Sequence, residues 1–496
     1  MADTEGSSAL GRRDPLRLSL LGGAVLCLWL VGLAHPSVAA PPLGPPGWVP
    51  HLPDLPLRGW GVVAVQTVGY VLGAAALVLA VRRPSRLGIP WPAWLLVGGL
   101  VLLTVPFGTA DHTNYAAYGH ILAEGGDPWL TSPRDFGNDA VTALVQPPWQ
   151  DTPNVYGPVA TALLGAAAHL GGESVRQIVW LWQVVVVVAW LAVRWLLIRL
   201  TERAEAVDTW WTGNVLVVGA GVFGAHVDLL ATAALVAALV VALRVPGLLG
   251  AGAAGALAGV AASTKITAGV VALALALAYV ARARREMPTR GHAGWVDAAR
   301  QLSAMGVGAL VVAVPLHLWA GPHVFDQLAR QSGGVSYASP WRAVYTLLDL
   351  GVAEPTARSI ASRASAVLCV VLAVVLWRRL GSKGEPLPIL LALTAAYAIG
   401  AAYVLPWYAL PMWAAAAAWV GLGGADPRLL VALVLQGTVV ALGYVPGRIL
   451  IPETMETVTL AWRMVAVPLA TFALWVWLLR WDATSRGREQ RAPVRG

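Results

Sequence analysis

Long apolar runs separated by short polar or basic segments repeat along almost the whole chain. A helix that crosses the hydrocarbon core of a bilayer needs about 20 predominantly apolar residues, and its backbone polar groups must be satisfied within the helix. The pattern therefore predicts an all-α polytopic membrane protein with about 13–14 transmembrane helices. The candidate spans are residues 17–38, 60–81, 90–107, 174–198, 209–225, 228–244, 248–264, 266–282, 301–319, 364–380, 386–404, 408–423, 428–445 and 462–480.

Basic residues cluster in every second segment between the predicted spans. Arg12, Arg13 and Arg17 precede the first span, and cytoplasmic segments of membrane proteins carry an excess of Lys and Arg. With the amino terminus in the cytoplasm, alternation of the spans places most of the 34 lysines and arginines inside. The charge pattern predicts a protein of the cell membrane with both termini cytoplasmic.

Two of the segments assigned to the outer side are long, from Gly108 to about Glu173 and from Gly321 to about Arg363. Such long loops are uncommon unless they have a function. The first contains an apolar stretch from Tyr156 to Leu170. Counting this stretch as a span would place the later arginine clusters outside, so we interpret it as a helix lying at the outer membrane surface. We therefore expect two long extracytoplasmic loops that carry interfacial helices.

Composition excludes several other classes of protein. Hydrophobic residues make up 57% of the chain and charged residues 12%, about half the charged share of a soluble domain. The net charge of +8 is not gathered in one patch, so no nucleic acid partner is expected. Cys27 and Cys369 lie in separate apolar runs and imply no disulfide or metal site. Residues 37–40 resemble a signal peptidase site; we expect the first helix to be retained, with cleavage as the alternative.

The first candidate for chemistry is Asp111, just beyond the third predicted span. A helix starting there would carry Asp111, Tyr115, Tyr118 and Leu122 on one face. A carboxylate that is partly desolvated at a membrane boundary has a raised pKa and is a better proton acceptor, so Asp111 is a candidate general base. The alternative is a helix cap or a solvated acid.

Further polar residues fall at the predicted outer ends of other spans. His226 and Asp228 lie in a tight turn, where they serve either substrate binding or an ordinary polar turn. Lys265 is an isolated cation suited to a phosphate, or a snorkelling lysine. Arg342 in the second long loop could bind a phosphate bidentately, or be merely solvated.

Aromatic and glycine positions add two expectations. Trp407 and Tyr408 lie at the start of a predicted helix, on its outer side. They could stack on a sugar or a lipid chain, or anchor the helix at the interface. Gly255 and Gly259 form a GxxxG pattern in a predicted span, which predicts close packing of two membrane helices.

Together these pieces resemble the GT-C class of membrane glycosyltransferases. More narrowly they resemble the polyprenol-phosphate-mannose-dependent α-mannosyltransferases of actinobacterial lipoglycan synthesis, a group that includes the α-1,6-mannosyltransferases. The resemblance covers roughly residues 90–445. Its carriers are Asp111 with Tyr115 and Gly119, residues 125–129, Trp149 with residues 152–158, residues 224–228, Lys265, Ser339-Pro340 and Pro406-Trp407-Tyr408.

The resemblance implies a GT-C-like helical bundle and transfer of a sugar, mannose in the related group, with inversion. The donor would be a polyprenyl-phosphate sugar, and the acceptor a lipid-linked glycan on the outer face of the membrane. Asp111 would be the catalytic base, with Lys265 and Arg342 at the donor phosphate. The substrate-binding candidates are His112, Asn114, Tyr115, Tyr156, His226, Asp228, Trp407 and Tyr408.

Many members of the class have two neighbouring acids where this chain has Asp111 followed by His112. No cofactor and no bound metal are therefore expected, although a divalent metal is left open. Besides donor and acceptor, the expected partners are membrane lipids.

The main alternative function is that of a membrane transporter or a lipid or polysaccharide flippase. Transporters place ionisable residues near the bilayer midplane and often repeat their folds. Here the polar candidates lie at span ends, which favours chemistry at the surface. An inactive scaffold is a further alternative.

The spans and the resemblance together predict how the chain is divided. The predicted divisions are an amino-terminal tail with two extra helices (1–89), a catalytic core (90–320) with outer loop 108–173, a second outer loop (321–363), carboxy-terminal helices (364–480) and a basic cytoplasmic tail (481–496).

Overall fold

The structure is a computed structural model that describes residues 13–83, 85–137, 139–331, 333–381, 383–448 and 450–491. Arg12 and the last five residues of the basic tail lie outside the described residues. Within the described part the regular secondary structure is helical, which confirms the predicted all-α class.

The α-helices are numbered in chain order. They are α1 Pro15–Leu33, α2 Trp60–Arg82, α3 Trp91–Leu102, α4 Asp111–Ala123, α5 Pro133–Phe136, α6 Pro158–Gly171, α7 Val175–Thr201, α8 Ala204–Val207, α9 Val215–Val217, α10 Asp228–Arg244, α11 Gly247–Thr264, α12 Val270–Arg290, α13 His292–Ala320, α14 His323–Gln331, α15 Trp341–Asp349, α16 Glu354–Arg379, α17 Pro386–Gly400, α18 Leu410–Gly421, α19 Pro427–Leu442, α20 Glu453–Ala461 and α21 Val467–Arg491.

Eight helical segments in the described part are long and apolar enough to cross a membrane. They are α1, α2, α7, α11, α13, α16, the segment Ile266–Arg290 that contains α12, and the segment Glu453–Trp481 that joins α20 to α21. Four further apolar helices, α3, α6, α17 and α19, are shorter. The chain is therefore a multi-pass membrane protein, and several of the fourteen predicted spans correspond to helices too short to cross alone.

The predicted span 209–225 is not one helix. It contains two π-helical segments, Asp208–Thr212 and Val218–Phe223, with α9 between them. The segment Val215–Phe223 meets α10 at an angle of 120°, which makes either a broken span or a re-entrant turn. The bend falls at residues 224–227, and it turns His226 into the protein, where its side chain is 1% exposed.

Close helix packing at the GxxxG positions is confirmed. A Cβ placed on Gly255 would lie 2.0 Å from the backbone oxygen of Met305, and one on Gly259 would lie 2.8 Å from that of Ala309. Only glycine allows α11 and α13 to approach this closely.

The predicted interfacial stretch 156–170 forms α6. This helix packs against α4, where a Cβ on Gly119 would lie 2.3 Å from the backbone oxygen of Leu164. Its amino-terminal end is held to α11, since Gly157 N–H donates to the carbonyl of Thr264 at 3.1 Å. The location of α6 at a membrane surface stays a prediction.

Three arginines with partners on the protein lie at one end of the bundle, which we call the arginine-rich end. At this end Arg194 pairs with Asp208, Arg379 pairs with Asp426, and Arg244 at the end of α10 donates to backbone carbonyls at the end of α7. The opposite end of α10 begins at Asp228, about 25 Å away by the rise of a 17-residue helix. The beginning of α4, the end of α11 and the turn before α18 meet around this second end.

Candidate active site

Asp111 is the first residue of α4, as the sequence predicted. Its N–H donates to the hydroxyl of Thr109 at 3.0 Å. Because successive helical residues are about 100° apart, Tyr115 and Tyr118 project from the same face of the helix. Tyr118 donates to the carbonyl of Thr152 at 2.9 Å, so this face of α4 is attached to the chain that leads into α6.

His226 lies against this face. Its Nδ1 is 3.2 Å from the hydroxyl of Tyr115 and 3.6 Å from Oδ2 of Asp111. The preceding Ala225 has φ of 52°, a left-handed conformation that is strained for a residue with a side chain. Trp182 donates to the carbonyl of Ala225 at 2.7 Å, which holds the turn in this conformation.

Trp407 supports His226 from the other side. The two rings are stacked with centroids 3.6 Å apart and planes 14° apart. Trp407 is 6% exposed and also contacts Tyr444, at 6.0 Å between ring centroids. This tryptophan therefore fixes the histidine ring; its predicted contact with substrate stays a prediction.

Lys265 and Asp228 form an ion pair beside the histidine turn. The lysine Nζ is 2.7 Å from Oδ1 of Asp228, and the side chains are 14% and 6% exposed. The ammonium also lies 4.0 Å from the ring centroid of Tyr408, a cation–π contact. The second carboxylate oxygen of Asp228 is buried and has no hydrogen-bond partner among the described residues.

The environment of Asp111 changes its acidity. Burial raises the pKa of this carboxyl from 3.8 to about 6, whereas the hydroxyl of Thr109 and the positive charge of Lys265 oppose the rise. The negative charge of Asp228 adds to the rise. A carboxylate with a pKa near 6 is mostly ionised at neutral pH and accepts a proton more readily than an ordinary aspartate.

The structure brings together eight of the residues selected from the sequence. They are Asp111, Tyr115, Tyr156, His226, Asp228, Lys265 with Tyr408 beneath it, and Trp407 behind the histidine. Tyr156 joins the group through an edge-to-face contact with Tyr115, with ring centroids 5.2 Å apart.

Three selected residues have other surroundings. His112 and Asn114 are 1% and 4% exposed, and on α4 they are rotated by about 100° and 60° from Asp111. Both ring nitrogens of His112 are buried and have no hydrogen-bond partner in the part of the chain that the structure describes. The guanidinium of Arg342 lies 4.4 Å and 4.9 Å from the ring centroids of Tyr337 and Tyr345. The assignments of these three residues to substrate or phosphate stay predictions.

Several residues of the site were missed by the sequence reasoning. Thr109 accepts from the backbone of Asp111, and Trp182 holds the histidine turn. Tyr403 and Tyr444 extend the aromatic layer around Tyr408 and Trp407. The two tyrosines end apolar runs, as interfacial aromatics do, and that signal could have selected them.

No cluster of three or more His, Cys, Asp or Glu side chains suited to a metal ion occurs within the described ranges. The expectation that no metal is bound stays a prediction.

Comparison with known proteins identifies what this chain is similar to. Residues 46–282, just under half of the chain, match the model of a family described as "Alpha-(1->6)-mannopyranosyltransferase, N-terminal domain". The chain resembles the α-(1→6)-mannopyranosyltransferases. Six of the eight clustered residues lie within the matched range, namely Asp111, Tyr115, Tyr156, His226, Asp228 and Lys265.

A curated relative agrees with this resemblance. Alpha-(1->6)-mannopyranosyltransferase B of Corynebacterium glutamicum is 26% identical over 272 residues, which cover 51% of this chain and 43% of the relative. The match thus spans less than half the length of that protein. Both names indicate an α-mannosyltransferase, which is a glycosyltransferase. No solved structure matches this chain.

Proposed function

We propose that this protein is an integral membrane glycosyltransferase that transfers a mannosyl residue from a polyprenyl-phosphate donor to a lipid-linked glycan. The observation that carries the proposal is the placement of Asp111. Its side chain is 16% exposed and lies beside His226, within electrostatic reach of Lys265, and partial burial raises the pKa of its carboxyl to about 6. Mannose follows from the family and the relative, and the lipid phosphate donor from the resemblance to the GT-C class.

In the proposed reaction an acceptor hydroxyl attacks the anomeric carbon of the donor. A new bond forms between the acceptor oxygen and that carbon while the bond from the carbon to the phosphate oxygen breaks. Asp111 takes the proton of the hydroxyl, and the bonding electron pair leaves with the phosphate. A single displacement of this kind inverts the configuration at the anomeric carbon.

The departing phosphate gains negative charge, which a nearby cation stabilises. Lys265 is the cation within the cluster, and its ammonium has donors left after it binds Asp228. With Asp111 and Asp228 ionised, however, the three charged groups sum to −1. A further cation is therefore needed, and Arg342 remains the candidate on the second outer loop.

The charge asymmetry of the bundle supports an outer location of the site. The arginine-rich end corresponds to the cytoplasmic side by the positive-inside rule. Asp111, His226 and Lys265 lie at the other end, which we assign to the extracytoplasmic side. Cysteine labelling of residues in 108–155 from outside intact cells tests this orientation, and labelling only from the cytoplasm would contradict it.

The decisive experiment uses purified protein with a panel of polyprenyl-phosphate sugars and membrane glycolipid acceptors, with and without a metal chelator. Asp111→Asn should abolish transfer without unfolding the protein. Asp151→Asn is the matched control, because this exposed acid of the same loop pairs only with Arg134 among the described contacts. Unchanged turnover in Asp111→Asn would remove the catalytic assignment, and loss in both variants would point to folding.

A further inference from the structure

A lipid-facing groove of about 590 Å³ lies at the arginine-rich end of the bundle, far from Asp111. It is formed between α2, α19 and the segment containing α21. Its walls are mostly aliphatic, and two arginines lie at one end of it. The lining residues are Val81, Arg82, Pro427, Arg428, Val431, Ala432, Leu435, Gln436, Val439, Ala470, Leu474 and Trp477.

Two arginines, Arg82 and Arg428, line the groove. Arg82 and Arg428 are exposed, and no carboxylate lies within ion-pair distance of either in the part of the chain that is described. The neighbouring acid Asp426 is already bound by Arg379, at 2.6 Å and 3.2 Å. The mouth of the groove therefore carries two positive charges that no carboxylate of the described residues neutralises.

The length of the groove matches one leaflet. On α19 it extends from Arg428 to Val439, which is about 17 Å at the helical rise of 1.5 Å per residue. Half of a hydrocarbon core about 30 Å thick is about 15 Å. A ligand with its charge at the arginines would place its apolar chains along Val431 and Leu435 and end near the bilayer centre.

We propose that this groove binds an anionic phospholipid of the leaflet at the arginine-rich end. The phosphate is held by Arg82 and Arg428, and an acyl chain fills the aliphatic channel between α2, α19 and α21. Basic pockets between transmembrane helices are a common way to bind such headgroups. This lipid joins the ends of helices from the amino-terminal and carboxy-terminal parts of the chain.

The geometry argues against the donor lipid as the occupant. A donor that reacts at Asp111 has its phosphate near Lys265, at the other end of the bundle. The positive charge of the groove lies at the opposite end of α19 from Tyr444, which contacts Trp407 in the site. A polyprenyl phosphate is therefore an outcome for the experiment to exclude.

The experiment measures lipid retained by the purified full chain in native mass spectrometry, with phosphatidylglycerol and phosphatidylcholine added in equal amounts. We expect selective retention of phosphatidylglycerol, reduced about tenfold in Arg82→Gln/Arg428→Gln, which corresponds to about 1.4 kcal/mol. Ala432→Trp should also reduce retention by filling the channel. Arg203→Gln, an exposed arginine after α7 that does not line the groove, is the matched control and should retain the lipid.

Each other result contradicts the proposal. Equal retention of the two phospholipids would show that charge does not select the occupant. Selective retention that survives the double arginine substitution would place the lipid elsewhere. Displacement of phosphatidylglycerol by equimolar polyprenyl phosphate would assign the groove to isoprenoid lipids. Because lipid retention is independent of transfer, failure here leaves the proposed glycosyltransferase activity untouched.

Discussion

Two buried ion pairs lie at opposite ends of the bundle, and their burial is nearly the same. Lys265 and Asp228 are 14% and 6% exposed, and Arg194 and Asp208 are 15% and 5% exposed. Arg194 donates to both oxygens of its partner, at 2.7 Å and 3.0 Å. Lys265 donates to one oxygen of Asp228, and the other oxygen has no hydrogen-bond partner within the described ranges.

In the Arg194–Asp208 pair both carboxylate oxygens accept hydrogen bonds, whereas in the Lys265–Asp228 pair one carboxylate oxygen accepts none from the described residues. A bidentate arginine–carboxylate pair satisfies both oxygens and fixes the geometry. A buried oxygen without a partner costs free energy, so it persists where a ligand supplies the missing contact. The second oxygen of Asp228 and the remaining donors of Lys265 lie near Asp111 and aromatic rings, which is the arrangement expected of a binding site.

Among substitutions in the two ion pairs, Lys265→Met is expected to have the largest effect on transfer. If the ammonium stabilises the departing phosphate, transfer should fall by about 10²–10³-fold, as when one oxyanion donor is removed from other enzymes. The substitution also leaves Asp228 unpaired, so folding must be controlled. The double variant Lys265→Met/Asp228→Asn removes the pair without a buried lone charge. Initial rates per folded protein should remain low in it, and recovery would mean that Lys265 only neutralises Asp228.

The second effect is the pH dependence of transfer. Because burial raises the pKa of Asp111 to about 6, the ionised base disappears below that pH. The rate should fall about tenfold per pH unit below pH 6. An ordinary aspartate near 3.8 would keep the rate flat down to about pH 4. A flat profile between pH 4 and 6 would contradict the assignment of Asp111 as base.

The same pKa predicts a change in stability of the opposite sign to the usual aspartate. The folded protein binds the proton of Asp111 more tightly than the unfolded chain does. The contribution of this group to the free energy of unfolding is therefore lost as pH rises from about 4 to about 6. Asp111→Asn should therefore raise the melting temperature more at pH 8 than at pH 4. An equal shift at both values would show that the carboxyl is not destabilised by burial.

The sequence could predict much of this architecture because hydrophobic length is local information. The ends of α2, α10 and α11 lie within a residue or two of the predicted spans. The stretch 209–225 is apolar enough to be predicted as a span, yet in the structure it is broken into two π-helical segments with α9 between them. The glycines at 219, 221 and 224 permit close contacts there that apolar composition does not reveal, such as Tyr70 against Gly219.

The candidate residues could be selected one by one from the sequence, but their contacts could not be predicted. Asp111 and Lys265 could be selected because an isolated charge beside apolar runs is costly. The stacking of His226 on Trp407 joins segments far apart in the chain, and no local pattern encodes it. His112 follows Asp111 directly in the sequence, but a helix rotates neighbours by about 100°, so the two side chains have different surroundings.

A smaller effect is expected from the ring beneath the lysine. Tyr408→Leu removes the cation–π contact at 4.0 Å, which is worth about 1 kcal/mol and corresponds to about a fivefold loss of transfer. Tyr408→Phe keeps the ring and should retain most of the rate. Adding Tyr408→Leu to Lys265→Met should cause little further loss, because the cation is already gone. Additive losses would mean that the tyrosine acts independently of Lys265.

The smallest effect on transfer is expected at the other ion pair, where the contrast is sharpest. Arg194→Met leaves Asp208 buried without its partner and should cost about 3–5 kcal/mol of stability. Transfer per folded molecule should nevertheless stay near that of the unmodified protein, because the pair lies at the arginine-rich end. Adding Asp208→Asn removes the lone charge and should restore much of the melting temperature. A fall in rate that persists in this stable double variant would mean that the two ends of the bundle are coupled, and the hydrogen-bond pattern would no longer separate a structural pair from a functional one.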